Sequence, residues 1–269
     1  VMLQTLSMKE IDSNILNEFG QLIVDECHHI AAKVFSRGMF KIPTKYTLGL
    51  SATPNRKDGL GYVIEWFLGP IVMSMENIYE TQVIVKSCEL KNIDYGDEIY
   101  NKSGKICLPA MVTKVSLLED RNQQIVNIII NVLRTDTTKT RKVLLLSERR
   151  EHLKLLKGLF DTNGYSSALY VGGMKENQLK EAEKATIILS TYSMTSEGFD
   201  NPELNTLVLA SSKTDIEQSV GRILRQRHEI TPLIIDIVDR FSLFTVQAYQ
   251  RGYYYKNHNF LFFPPFLIL

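Results

Sequence analysis

The first residues able to do chemistry stand in LIVDECHHI, residues 22–30, where three apolar residues run into Asp25, Glu26, Cys27, His28 and His29. Zinc is one reading of this run. In an extended segment, however, adjacent side chains diverge, whereas tetrahedral zinc takes spaced pairs such as C-x2-C or H-x3-H. No second cluster of such residues follows to complete a site. The other reading sets an acid at the carboxyl tip of a buried parallel strand, where open α/β sheets bind ligands. Asp25 would then hold Mg²⁺ through water at a nucleotide phosphate, and Glu26 would orient or deprotonate an attacking water.

Three further stretches carry candidate chemistry. LGLSATPNR, residues 48–56, ends an apolar strand in Ser51, Ala52, Thr53 and Pro54. Small hydroxyl residues at a strand tip allow close packing and exchange of hydrogen bonds with a neighbouring segment. IEQSVGRILRQR, residues 216–227, reads Q-x-x-G-R-x-x-R over Gln218, Gly221, Arg222 and Arg225. Residues three or four apart share a helix face, so the spacing predicts Gln218, Arg222 and Arg225 pointing one way. Two guanidiniums on one face suit a transferring phosphate, whose oxygens match their charge and fork geometry. Glu197, Gly198, Phe199 and Asp200 lie in a polar turn between two apolar runs, a place for ribose, phosphate or backbone contacts.

Positioning these groups requires strands. QLIV (21–24), KYTLGL (45–50), RKVLLLS (141–147), TIILS (186–190) and NTLVLAS (205–211) are short apolar runs, each followed by a polar or glycine-bearing turn. Runs apolar throughout suit strands covered on both faces, hence a parallel sheet. Helices are expected between them. SMKEIDSNILNEF has a cap candidate at Ser7 with Glu10 three residues on. Residues 117–134 and 149–164 show apolar spacing near 3.6; in the latter Leu153, Leu156 and Phe160 share a face and Gly164 suits the end. Alternating strand and helix predicts an α/β architecture. The polar, aperiodic stretch 91–112 reads as a linker. It divides a first domain (1–90) from a second (113–250), with a tail at 251–269.

Composition bounds the rest. The 269 residues are 44% hydrophobic and 23% charged with a net charge of +1, so no global field announces a nucleic-acid partner. Residues 139–157 nonetheless hold seven Lys or Arg against two Glu, a local basic stretch that could equally be a solvated helix face. Three scattered cysteines, Cys27, Cys88 and Cys107, argue against a disulfide framework and for a reducing, intracellular compartment. No apolar run reaches the roughly 18 residues of a membrane span.

Together and in this order, DECH, SATP, TSEGFD and QSVGRILR resemble the motifs of superfamily 2 helicases. VMLQTLSMK resembles their nucleic-acid-contacting motif upstream of the Walker B strand, and KVLLLSERREH the first motif of their second domain. SATPNRKDGL and QAYQRGYYYKN are similar to the branch holding the xeroderma pigmentosum type B helicase, the phage recombination helicase and helicases of large DNA viruses.

The resemblance implies two tandem RecA-like parallel-sheet domains of the P-loop NTPase fold, the first incomplete. It also implies ATP hydrolysed between the two domains with Mg²⁺, and a backbone-directed grip on nucleic acid, DNA favoured over RNA. By the same resemblance Asp25 and Glu26 manage Mg²⁺ and water, and His28 links the ATP site to the second domain. Ser51, Ala52 and Thr53 couple hydrolysis to strand movement. Glu197, Gly198 and Asp200 contact nucleotide or neighbouring motifs, while Gln218, Arg222 and Arg225 face the γ-phosphate. Gln4, Thr5, Ser147, Arg149 and Thr191 match positions that grip a nucleic-acid backbone.

One part of the family pattern has no match. No G-x-x-x-x-G-K-[ST] string occurs: Lys105 is followed by Ile106, and Gly59-Leu60-Gly61 lacks the lysine. The amides and lysine of that loop cradle the phosphates, so they are expected before Val1, and the 269 residues alone are expected to be a poor ATPase. The alternatives are a nucleic-acid-binding protein that lost its engine, and the motor subunit of a restriction or repair translocase.

Overall fold

The computed structural model describes residues 2–51, 58–74, 82–196 and 199–263, and the chain divides into two units, residues 1–78 and 79–269. In the first unit, α1 (Leu3–Met8) and α2 (Ser13–Asn17) precede β1 (Gln21–Val24), a 3-10 turn (Cys27–Ala31), α3 (Lys33–Met39), β2 (Tyr46–Gly49) and α4 (Gly61–Leu68). β1 and β2 pair in parallel, Gln21 opposite Tyr46 and Val24 opposite Gly49. The cap expected at Ser7 is not there: Ser7 lies inside α1, and the capping side chain is Asp12, which accepts from the Asn14 N–H at 2.9 Å at the start of α2. The polar stretch after Met8 leaves the helix pattern, so one expected helix becomes two.

The core of this unit is small: Val24, Cys27, Ile30 and Met39, with Leu3, Leu22, Ile64, Phe67 and Leu68 packed against them. Its two strands remain largely uncovered. Ile23 is 57% exposed and Tyr46 59%, though both stand in apolar strand positions.

The second unit is built around seven parallel strands. In chain order it comprises β3 (Ile84–Glu89), α5 (Leu108–Ser116), α6 (Glu119–Thr135), β4 (Val143–Ser147), α7 (Arg150–Thr162), β5 (Ser167–Tyr170) and α8 (Glu176–Ala182). It continues through β6 (Ile187–Thr191), α9 (Tyr192–Ser196), β7 (Thr206–Leu209), α10 (Glu217–Gly221), β8 (Leu233–Val238), α11 (Ser242–Asn257) and β9 (Leu261–Phe263). The sheet order is β5-β6-β4-β7-β8-β3-β9. Alternation along β4 divides the core: Val143 and Leu145 face Ile125, Ile129, Leu153, Leu156 and Phe160 of α6 and α7, while Leu144 and Leu146 face the layer holding Val220 and Tyr255. Every residue of β4, β6, β7 and β8 is buried, because helices cover both faces.

The expected domain limits move. β3 pairs with β8 along its whole length, Ile84 opposite Leu233, so the first unit ends near residue 78 rather than 90. The stretch 91–112 is not a linker but part of the second unit. Gln124 exchanges two hydrogen bonds with the Lys91 backbone at 3.0 and 2.8 Å, Tyr95 stacks on Phe241, and Tyr100 bridges Ile106. Its lack of periodicity reflects order imposed by side chains. Residues 251–257 complete α11, and 261–263 add an edge strand to β3, so the expected tail is largely framework. Residues 264–269 lie outside the described residues.

Candidate functional site

In the first unit the chemistry gathers where β1 and β2 end side by side. Asp25 follows the last residue of β1 and is exposed, one carboxylate oxygen accepting the Glu26 N–H at 2.9 Å. Glu26 has left-handed backbone, φ 48° and ψ 46°, costly for a residue other than glycine and often met at functional sites. The bend lets the Cys27 N–H reach the Leu50 carbonyl at 2.9 Å, so the turn after β1 grips the end of β2. His28 Nδ1 lies 3.0 Å from Ser51 Oγ and 3.3 Å from Glu26 Oε2. The imidazole thus joins the acid at one strand tip to the hydroxyl at the next.

Close approach of the two tips depends on Gly49. A Cβ there would lie 2.5 Å from Leu68 Cδ1 and 2.9 Å from Cys27 Sγ. Cys27 is buried in the small core, and burial first, with the neighbouring Glu26 and Asp25 charges adding to it, raises its thiol pKa. A thiol held protonated in this way is a packing group. Ala52 and Thr53, expected beside Ser51, lie outside the described residues.

In the second unit, the segment expected to be one helix face is something else. α10 ends at Gly221, and Arg222, Ile223 and Leu224 continue in tight turns, each N–H bonding three residues back. Gln218 lies within α10 and the two arginines beyond its end, in turns of about three residues that stack i on i+3 rather than on i+4. Arg222 and Arg225 still act together. Arg222 is buried and donates to the Phe199 carbonyl at 2.7 Å, and Arg225 pairs with the exposed carboxylate of Asp200. Both reach the stretch that follows α9. Glu197 and Gly198, also expected there, lie outside the described residues.

A family profile described as the type III restriction enzyme res subunit matches residues 2–56, which contain the β1 and β2 tips. A mimivirus protein named as an ATP-dependent RNA helicase is 35% identical over 271 residues, covering 96% of this chain and 51% of that protein. A helicase-named protein of Invertebrate iridescent virus 6 is 24% identical, covering 95% and 59%. These matches support a superfamily 2 helicase reading of the chain. The chain spans about half the length of these relatives. In fold, it is similar to T4 UvsW at TM-score 0.51 and 19% identity, covering 97% of this chain and 56% of that one. It is also similar to yeast Dbp5 bound to RNA and ADP BeF3, at TM-score 0.57 and 12% identity, covering 88% and 57%. Both support RecA-like domains.

The helicase positions expected to grip nucleic acid differ in setting. Gln4 is exposed and Thr5 half-buried, both on α1. Arg149 is partly exposed just before α7, its guanidinium donating to the Pro109 carbonyl at 2.7 Å and Thr113 Oγ1 at 2.9 Å. Ser147 is fully buried. Its hydroxyl lies 2.9 Å from His152 Nδ1 and accepts from the Arg149 N–H at 3.2 Å. Thr191 is buried too, its hydroxyl 3.2 Å from Ser193 Oγ. As placed, Ser147 shapes the turn that presents Arg149 rather than facing outward itself.

The basic stretch 139–157 does not form one patch. Arg141 and Lys142 precede β4 and Arg149 follows it, so they lie at opposite ends of a strand about 17 Å long at roughly 3.3 Å per residue. Lys142 pairs with Glu203, Lys154 with Glu151 and Lys157 with Asp161.

Sequence reasoning missed the buried polar groups beneath the strand tips. Arg121 and Asp239 form one fully buried pair, Arg251 and Asp236 another. Burial lowers each guanidinium pKa, and the partner carboxylate more than offsets this, leaving both raised. The signal was legible in LIIDIVDR, residues 233–240, where two acids interrupt an apolar strand.

Proposed function

We propose that this chain works as the motor of an ATP-hydrolysing helicase or translocase on nucleic acid. The observation that carries the reading is the His28–Ser51 hydrogen bond at 3.0 Å, which ties the DECH tip to the SATP tip. A change of charge beside Asp25 and Glu26 can pass through the imidazole to the end of β2. An exposed carboxylate at a strand tip fits Mg²⁺, which takes one or two protein carboxylates and fills its remaining positions with waters and phosphate oxygens. Asp25 would hold that ion through water, and the ion would neutralise phosphate charge. Glu26 would orient and deprotonate the attacking water. Arg222 and Arg225 would supply positive charge to the phosphate, with Arg225 exchanging Asp200 for it.

Each ATP turnover is expected to advance the protein along a strand. Duplex DNA is the substrate we propose, on the likeness of SATPNRKDGL and QAYQRGYYYKN to the DNA-acting branch. Phosphate release from ATP by the full-length protein, with and without single-stranded nucleic acid, tests the motor. Glu26→Gln should lower stimulated turnover at least ~10²-fold, the usual scale for a lost general base. Unchanged turnover in that variant overturns the assignment. Strand displacement on matched DNA and RNA duplexes tests the substrate, and faster RNA unwinding overturns the DNA proposal. The 269 residues alone should show little turnover, since no phosphate-cradling G-x-x-x-x-G-K-[ST] string is among them.

A further inference from the structure

We infer that Lys213 contacts a nucleic-acid phosphate and that Arg251, through its buried pair with Asp236, is the residue that positions it; the inference rests on the nucleic-acid reading above. Residues 210–213 follow β7 at the carboxyl edge of the sheet, where parallel α/β sheets bind ligands. Side chains and backbone around this short segment fix it from every side. The Ala210 carbonyl accepts from Arg121 Nη2 at 2.7 Å. The Ser211 carbonyl accepts from the Tyr192 hydroxyl at 2.7 Å, and Ser211 Oγ accepts from the Glu148 N–H at 2.9 Å. Ser212 Oγ and the Lys213 carbonyl both accept from Arg251 Nη1 at 3.0 Å. Arg121 comes from α6 on one face of the sheet and Arg251 from α11 on the other.

Two buried ion pairs are a poor source of stability, because desolvation offsets most of their attraction. Their gain is conformational: they leave residues 210–213 one arrangement. At the end of that arrangement stands Lys213. Its ammonium lies over the Tyr192 ring, 5.4 Å from the centroid, and 3.4 Å from Glu148 Oε1. A charge-assisted hydrogen bond runs nearer 2.7–2.9 Å, so Glu148 holds the ammonium loosely. Glu148 sits between Ser147 and Arg149, and Tyr192 follows Thr191, so the segment that carries Lys213 is bonded to both loops expected to grip a strand. A half-buried lysine–glutamate pair held at 3.4 Å would need no such clamp beneath it.

The test is fluorescence anisotropy of the full-length protein with a labelled mixed-sequence single-stranded oligonucleotide, as DNA and as RNA, over a salt series. Lys213→Ala should weaken binding several-fold at low salt and reduce the slope of log K against log salt by about 0.7, the increment for one phosphate on a single strand. Lys213→Arg should restore both. Glu148→Gln should bind at least as tightly as the wild type, because it removes a competing acceptor. If Lys213 served only as the partner of Glu148, Glu148→Gln would weaken binding as Lys213→Ala does, and the inference would fall. An unchanged slope in Lys213→Ala also overturns it. A wild-type protein that binds neither oligonucleotide overturns the nucleic-acid reading itself. Arg251→Lys, which keeps the charge but loses the fork, should weaken binding without altering the slope; a slope reduced as in Lys213→Ala would remove Arg251 from its positioning role.

Discussion

Replacing Asp239 by asparagine removes a charge with almost no change of shape, and its cost can be worked from the geometry. Arg121 Nε and Nη2 donate to the two Asp239 oxygens at 2.7 and 2.8 Å, and the two side chains are 0% and 1% exposed. The Tyr95 hydroxyl donates to the same carboxylate at 3.0 Å. With Asp239→Asn the guanidinium stays buried without its counter-charge, which costs about 3–5 kcal/mol. At a urea dependence of about 2 kcal/mol per molar, the unfolding midpoint of the second unit should fall by roughly 1.5–2.5 M. The double variant Arg121→Met with Asp239→Asn removes both charges. Its main residual cost is the Ala210 carbonyl left without a donor, about 1–3 kcal/mol. Among the described residues Arg121 Nη1 has no hydrogen-bond partner, so the native pair is incompletely satisfied and the apolar replacement loses less. The double variant should therefore be more stable than Asp239→Asn alone. Far-UV circular dichroism, dominated by α6, α7 and α11, follows the second unit, while Trp66 on α4 reports the first. A double variant as destabilised as the sum of its singles would refute the reasoning.

Two further outcomes are expected. His152 is fully buried between Ser147 and Asn122, and burial, aided by the Arg121 charge, lowers its pKa well below the usual range. The folded state thus keeps it neutral while the unfolded chain binds a proton below about pH 6.5, so stability should fall with decreasing pH, by about 2 kcal/mol from pH 7 to pH 5. Urea titrations at the two pH values measure this, and His152→Gln should flatten that part of the pH dependence; an equal slope in the variant would show the group is not responsible. Gly49→Ala should destabilise the first unit by about 1–3 kcal/mol through crowding of Leu68 and Cys27. Trp66 fluorescence during urea unfolding follows it, and a fully native midpoint would show that the strand tips can part without cost.

The fold was legible where one periodicity ruled a segment. β4, β6 and β7 are apolar throughout because both faces are covered, and Leu153, Leu156 and Phe160 recur at helical spacing because α7 buries one face. β3 was not legible, because IVKSCE mixes lysine, serine and glutamate into a strand near the sheet edge. The 91–112 stretch was misread for a related reason. Its order comes from Gln124, Phe241 and Asp239, residues distant in the chain, and a local pattern cannot record them.

By itself, the sequence determined the chemical inventory and its order: acids after a strand, hydroxyls after the next, then a glycine-bearing arginine segment, a combination that resembles the helicase family's. It determined the parallel α/β class too, since both follow from which residues are adjacent and how apolar ones recur. Only the tertiary structure decided which groups meet. It brought His28 to Ser51, turned Arg222 and Arg225 onto Phe199 and Asp200, buried Ser147, and set Arg251 beneath Lys213. These are contacts between strand ends and turns far apart in the chain. Strand order and the burial of single charges settle them, and neither leaves a periodic trace in the sequence.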